Sequence, residues 1–573
     1  MDKQQSAQNK NILVIYELPK NQKKNILQED HEPSFSIFPN MPLMKYGFYY
    51  FIHQTKDKME MFEKPELKNK ELHKIVNAFE DIVPQEEFVK QTKNDTLKPS
   101  DDINSFSIKY FNSTRIISRA FYKLWELIMM FDLIPNKEGI VSLHIAEAPG
   151  SFVQSVIYYR KTFFSKKSST DKYIATSIEP QKKSTSGYIP TFNSDLISNK
   201  QFNKWSHGDS DLTKPKIIKK FIEDNSGSKA DFITADGGFN WKDENYQEQE
   251  AYVLLLCEIY CAVKCQKVGG SFVIKFFETF TELTIKMIEI LKQFYDKVYI
   301  TKPLLSRPSN SERYIVCINY TPDSKNSEKY LEKIFDIITE ADSKSDKYLV
   351  DIFPEYQITP EVDMVIKLSA TQMSNEQHKQ INEMISYFND GNYYGDAYRK
   401  YLINRRNAND FWISTFYPPT DSQNDLKATR DLISGLKLDD LTNTSKKLSE
   451  LKSKFELIVF DLNNSDSESD SDSETGSDTN SKTKSETKIE MSTKIEMSTK
   501  IEMSTETETE TEIETETETE TETDTSTSKS TKPTITSKST KPIITSKSTK
   551  PIITSKSTKP TITSKPSKPN TKK

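Results

Sequence analysis

Glycine is scarce in this chain, at 14 of 573 residues, roughly a third of the ~7% usual in globular proteins. Adjacent glycines therefore mark places where the backbone must turn or be approached closely. Cysteine is scarcer still, with four residues, which excludes a disulfide-stapled scaffold. Cys257, Cys261 and Cys265 lie four apart on one helical face, with no histidine or second cysteine pair nearby at zinc-site spacing. They read as small buried thiols in a reducing, intracellular setting. There is no apolar run of the ~20 residues needed to span a bilayer. The most apolar helical stretch, Tyr252 to Val263, is short and contains Glu258. The first ten residues are polar and lack an apolar secretory core. These readings predict a soluble intracellular protein, with cytoplasm and nucleus left open.

Apolar residues make up only 35% of the chain, charged residues 28%, and the formal net charge is -5; the mean hydropathy is -0.68. Much of that dilution sits at the C-terminus. Apolar periodicity stops near Asn464, and Ser465 to Asp478 alternates serine with acids. A six-residue repeat follows from Lys488, then Thr-Glu alternation over Thr505 to Glu522, then a nine-residue Lys/Ser/Thr/Pro repeat from Ser528. Such text buries too little apolar surface to offset chain entropy, so 464–573 is predicted to be disordered. Its basic end is a candidate RNA contact through phosphate charge or a simple solvated tail.

The rest divides into an N-terminal extension of mixed α/β character (1–104), a central domain (105–320) and a mainly helical extension (321–463). Residues 1–40 read as loop and short strand, Tyr46 to Ile52 as aromatic strand-like text and Pro65 to Glu80 as helix. In the central domain Ser113 to Met130 has an amphipathic helical period. Strand readings follow at Val141 to Ile145, Tyr173 to Ile178, Asp231 to Ala235, Gly270 to Phe276, Val298 to Lys302 and Arg313 to Asn319. Helical text separates most of them: Ser151 to Arg160, Gln247 to Gln266 and Thr281 to Phe294. This alternation predicts an α/β fold with a Rossmann-like, doubly wound, mostly parallel sheet.

Ligands of such sheets bind beyond the carboxyl ends of strands. After the first strand stands Glu147-Ala148-Pro149-Gly150-Ser151-Phe152, small residues leading into a helix N-terminus. It is not a Gly-x-Gly-x-x-Gly loop and no phosphate-gripping Lys-Ser/Thr follows, so a nucleotide with a pyrophosphate is disfavoured and a smaller nucleoside cofactor stays open. After the second strand, Glu179 stands where an acid commonly binds ribose hydroxyls; Asp209 and Asp211 follow a serine-rich loop. The third strand ends in Asp236-Gly237-Gly238-Phe239, and the fourth carries Lys275 after apolar text that reads as buried. A buried ammonium needs a partner or a function. Leu305-Ser306-Arg307-Pro308-Ser309-Asn310-Ser311-Glu312-Arg313-Tyr314 enters the last strand, and Lys123 lies on the early helix.

Together these motifs resemble the FtsJ-like (RrmJ-type) RNA 2′-O-methyltransferases, and within them the Adrift-type cap-specific mRNA enzymes. The likeness covers about residues 105–320. Ser151 departs from it, standing where many relatives have a second glycine. The resemblance implies S-adenosylmethionine as methyl donor, capped mRNA as the RNA substrate, no metal, and a Lys-Asp-Lys-Glu tetrad of Lys123, Asp236, Lys275 and Glu312. It implies Lys275 as general base and Lys123 as support for the 2′-oxygen. It places the cofactor at Glu147, Ala148, Pro149, Gly150, Ser151, Phe152, Glu179, Asp209, Asp211 and Asp236. Burial and repulsion from Lys123 are expected to lower the Lys275 pKa, with Asp236 and Glu312 pulling the other way. Candidates for stacking on a cap or binding its triphosphate are Tyr49, Tyr50, Phe51, Tyr110, Trp241, Arg115, Arg119 and Arg307. Alternatives are a ribosomal or transfer RNA enzyme and an inactive RNA-binding subunit of the same fold.

Overall fold

The computed structural model describes residues 13–19, 25–39, 46–63, 76–82, 116–179, 189–238, 241–323, 326–389 and 395–436. The repeat segment, Tyr110, Arg115 and Phe239 lie outside these residues. Among the described residues, strands β1 to β10 are Val14–Glu17, Ser34–Ser36, Val141–Ile145, Lys172–Ala175, Phe202–Lys204, Ala230–Ala235, Gln266–Phe276, Tyr295–Lys302, Arg313–Tyr320 and Tyr348–Asp351. Helices α1 to α5 are Tyr46–Asp57, Ala120–Phe131, Ser151–Phe163, Ser194–Ile197 and Pro215–Asn225. Helices α6 to α11 are Gln247–Cys265, Glu282–Phe294, Ser327–Ser343, Pro360–Asn389, Asp396–Phe416 and Gln423–Leu436.

Eight strands form one sheet in the order β1-β8-β9-β7-β6-β3-β4-β5. From β7 across to β5 every neighbour is parallel. β9 runs antiparallel to both β7 and β8, and β1 adds an antiparallel edge. All six residues of β6 are buried, as expected of a central parallel strand covered on both faces. The period of two sorts side chains into two cores. Phe272, Ile274, Phe276, Ile315 and Cys317 point to one face, and Val273, Tyr314 and Val316 to the other. The four cysteines are free and buried. No described helix is long and apolar enough to cross a membrane.

Most of the helix read over Pro65 to Glu80 lies outside the described residues, and three local readings change. The strand expected over Tyr173 to Ile178 ends at Ala175. Tyr46 to Ile52 is not a strand but the first half of α1, in which Tyr49 and Ile52 are buried and Tyr50 is exposed. Burial every third residue is a helical period, and tertiary packing overrides the β preference of aromatic residues. The helix expected from Ser113 begins only at Ala120, after an irregular stretch at Ile116 to Ser118. The helical segment after the sheet packs back on α2: Trp125 donates to the Phe416 carbonyl at 3.1 Å, and Trp412 to Glu126 Oε1 at 2.9 Å.

Candidate active site

The topology brings five strand ends to one edge. β3, β4, β6 and β7 finish there. β9 is reversed, so its first residue, Arg313, lies there too, with Glu312 just before it. Lys123 is the fourth residue of α2. Lys123, Asp236, Lys275 and Glu312 are each 12–19% exposed at the side chain, open to solvent while their neighbours are sealed.

The four form two ion pairs. Lys123 Nζ lies 2.7 Å from Glu312 Oε1 and 2.8 Å from Oε2, and Ser306 Oγ donates to Oε1 at 2.8 Å. Lys275 Nζ lies 3.2 Å from Asp236 Oδ1 and donates to the Asp236 carbonyl at 2.9 Å. Tyr314 OH donates to the same Oδ1 at 3.1 Å. The Glu312 carboxyl sits at about 2, because Lys123, then Lys275 and Lys302, outweigh the burial that works against ionisation. The expected lowering of Lys275 is not found. Burial pulls it down, but Asp236, Glu312 and Glu258 outweigh burial and raise it above the ordinary lysine value. The physical reason is the Asp236 carboxylate 3.2 Å from the ammonium, with Glu312 adding to its pull.

The proposed cofactor residues divide by what they touch. Glu147 is buried, and its Oε1 accepts from the amides of Phe152 at 2.6 Å and Val153 at 3.3 Å. Burial, then Asp236, holds this carboxyl well above the usual range. Ala148 and Pro149 complete the turn, and Gly150 caps α3 at φ 108°, a left-handed conformation that glycine supplies. A Cβ there would lie 2.2 Å from Leu196 Cδ1, so packing of α4 also demands the glycine. Ser151 Oγ bonds Ser118 Oγ at 2.7 Å, and Phe152 is fully buried, its ring 6.1 Å from that of Tyr314. Beyond β4, Glu179 meets Lys204 at 2.6 Å and Ser206 at 3.0 Å. The Glu179 amide donates to the Asp209 carbonyl at 2.8 Å, drawing that loop to the same edge. Asp209 pairs with Lys214, while Asp211 accepts from Thr213 N at 3.0 Å and Oγ1 at 2.7 Å. Asp211 therefore shapes the turn before α5.

Three further groups were not legible as site residues. Glu258 on α6 is 1% exposed and lies directly beneath the turn after Asp236, where a Cβ on Gly237 would stand 2.2 Å from its Oε1. Burial raises it to about 8, against the pull of Lys275. Glu126 binds the amides of Leu304 at 2.6 Å and Leu305 at 3.1 Å, fixing the start of the loop to Glu312. Glu80 binds both Arg119 and Arg307, so two of the candidate triphosphate contacts already hold a carboxylate. Among the aromatic candidates, Tyr49 is buried and Phe51 stacks near His378. Trp241 packs edge-on against Phe277 at 4.6 Å, and the Phe277 ring lies 5.8 Å from Lys275 Nζ.

Residues 116–320 match the model of the FtsJ-like methyltransferase family. Cap-specific mRNA (nucleoside-2′-O-)-methyltransferase 2 of Drosophila melanogaster is 23% identical over 331 residues, covering 56% of this chain and 45% of the relative. The protein of the same name from Pongo abelii is 31% identical over 219 residues, 36% of this chain and 28% of its own. Cap-specific mRNA (nucleoside-2′-O-)-methyltransferase 1 of Mus musculus is 42% identical over 115 residues, 19% of this chain and 14% of its own. The chain thus spans less than half the length of these curated relatives. The sheet and the matched span agree: residues 116–320 form an FtsJ-like methyltransferase domain.

Proposed function

We propose that this domain transfers a methyl group from S-adenosylmethionine to a ribose 2′-hydroxyl of RNA, at a cap-proximal nucleotide of mRNA. The observation that carries the reading is the pair of ion pairs, Lys123–Glu312 and Lys275–Asp236, held partly open at one sheet edge. The cap-specific names of the relatives support the choice of RNA.

The residues present suit this donor. The Phe152 and Val153 amides at the α3 N-terminus, which would otherwise favour a phosphate, are taken by the Glu147 carboxyl. Glu179 offers a carboxylate for ribose hydroxyls, and its amide draws Asp209 to the same edge. The donor supplies a methyl group on a sulfonium, already bonded to a good leaving group.

The protein then has to align the 2′-oxygen and receive its proton. Holding both reactants in line supplies about 7–11 kcal/mol, and general base catalysis about 10²–10⁴-fold. Lys275 takes the proton as the oxygen–methyl bond forms and the sulfur–methyl bond breaks. Its resting ammonium must first lose a proton, which is favoured when a cationic donor and a bound ribose replace the water around it. Asp236 aims the amine through its side chain and carbonyl. Lys123, steadied by Glu312, stabilises charge developing on the oxygen.

Mass spectrometry of capped and uncapped oligonucleotides after incubation with S-adenosylmethionine tests the reading. Methylation of the capped RNA alone is expected. Lys275→Ala should abolish transfer yet keep donor affinity within about threefold, and Lys275→Arg should also be inactive, since arginine does not release its proton. Transfer by either variant refutes Lys275 as base. Equal transfer to uncapped RNA refutes cap specificity, and donor binding without turnover on any RNA points to an inactive RNA-binding subunit.

A further inference from the structure

Lys302 ends β8, directly opposite Val14 of β1. Its side chain faces the loop that follows, and the ammonium donates to the Asn310 carbonyl at 3.0 Å, to Asn310 Oδ1 at 2.8 Å and to the Glu312 carbonyl. One side chain thus joins the first and last residues of the segment that carries Glu312 to the sheet edge. The interior is tied as well. Ser306 N donates to the Pro303 carbonyl at 2.9 Å, Asn310 N to the Arg307 carbonyl at 3.2 Å, and Glu126 holds the amides of Leu304 and Leu305. Glu312 is then fixed twice, its main chain by Lys302 and its carboxylate by Lys123 and Ser306.

We propose that Lys302 is a positioning residue of the methyl-transfer site, acting through the Glu312 main chain to hold the Lys123–Glu312 pair in place. This rests on the function proposed above. The role follows from what an ammonium provides: three N–H donors on a compact centre, matched here by three carbonyl oxygens that nothing but a cation or water would satisfy together. An alkyl chain of the same length fills the space and leaves these acceptors to water, which cannot tie Asn310 to Glu312 through one centre.

The clamp titrates. Burial pulls Lys302 down to about 7; Glu312 opposes this, Arg313 and Lys123 add to it, and Glu278 opposes it. These are the charged groups facing it from the loop, from β9, from α2 and from the segment after β7. As pH rises through about 7 the ammonium becomes an amine with one donor fewer, and the clamp loosens.

The test uses the full chain. Hydrogen exchange of the 303–312 amides, read without any substrate, should quicken at least tenfold in Lys302→Met, and Asn310→Ala should give a smaller increase. Lys302→Met should lower kcat at least tenfold while the dissociation constant for S-adenosylmethionine stays within threefold. In the wild type, kcat should carry a falling limb near pH 7 that Lys302→Arg, permanently charged, does not show. Unchanged exchange in both variants overturns the clamp whether or not the protein has activity. A Lys302→Met enzyme with wild-type kcat, or a wild type without the falling limb, overturns its role in catalysis. An inactive wild type with the expected exchange change leaves the clamp standing and sinks the proposed reaction instead.

Discussion

Glu80 offers a sharp test of how the N-terminal segment is held to the methyltransferase domain. Its carboxylate receives Arg307 Nη2 at 2.7 Å and Nε at 3.2 Å, Asn77 Nδ2 at 2.7 Å, and Arg119 Nη1. The residue is only 5% exposed, so solvent screens the cluster weakly. Burial works against ionisation, yet hydrogen bonding and charge from Arg307 and Arg119 bring the carboxyl from 4.5 down to about 2. At about 1.4 kcal/mol per unit, that depression corresponds to about 3 kcal/mol of folded-state stability at neutral pH. Glu80→Gln keeps the shape and removes the charge, leaving two half-buried guanidinium groups against a neutral amide; breaking a fully buried pair costs about 3–5 kcal/mol, and partial exposure of the arginines puts this one at the low end. The variant should therefore lose about 3 kcal/mol in urea unfolding at pH 7, with an unchanged denaturant slope. A depressed carboxyl stabilises above its unfolded value and loses that contribution as pH falls through its folded value. The difference between wild type and variant should thus be full above pH 5, shrink to less than half by about pH 3 and vanish below 2. A loss under about 1 kcal/mol at pH 7, or the same loss at pH 7 and pH 3, refutes the reasoning.

Two other substitutions probe the edges of the site. Gly237→Ala puts a methyl 2.2 Å from Glu258 Oε1 and 3.0 Å from Leu254 Cδ2. It should cost about 1–3 kcal/mol and lower single-turnover methyl transfer at least tenfold by shifting Asp236; a fully active, equally stable variant would show that the turn has room to move. Trp412→Phe removes the indole donor to Glu126, a carboxyl that burial holds up at about 7. The ionised form needs that donor most, so the loss, about 1–3 kcal/mol, should be larger at pH 8 than at pH 6. Equal thermal shifts at both pH values would dismiss Glu126 as the reason.

What could be read from the sequence tracks how local each determinant is. β3, β6 and β9 lie close to their expected positions, because buried strands leave apolar runs bounded by polar or glycine text. Asp236, Lys275 and Glu312 were legible for the same reason: each flanks or ends such a run, and the topology rule assigns strand ends to a ligand edge. Lys302 also ends a strand, but its role depends on where Asn310 and Glu312 return after a loop, which no periodicity encodes. Glu80 and Arg307 are 227 residues apart in sequence, and only the folded chain shows that one neutralises the other. The α1 misreading has the same origin. Tyr46-Gly47-Phe48-Tyr49-Tyr50-Phe51-Ile52 is rich in residues that favour strands, and packing against the rest of the chain decides for helix.

Burial also sorts the charges of the site. The four groups that keep some exposure form two neutral pairs, Lys123 with Glu312 and Lys275 with Asp236. The sealed Glu147 and Glu258 and the half-buried Lys302 are pushed toward their uncharged forms: Glu147 well up, Glu258 to about 8, Lys302 down to about 7. The resting edge is therefore close to electrically balanced, and a cationic donor adds one unit of positive charge to it. Balance returns when Lys275 releases its proton, the step a general base requires, and no further charged group has to move. The raised resting pKa of Lys275 and its proposed role as base are compatible on this ground. The carboxylates that hold the ammonium are the same ones that would hold the cationic donor, and they cannot neutralise both fully.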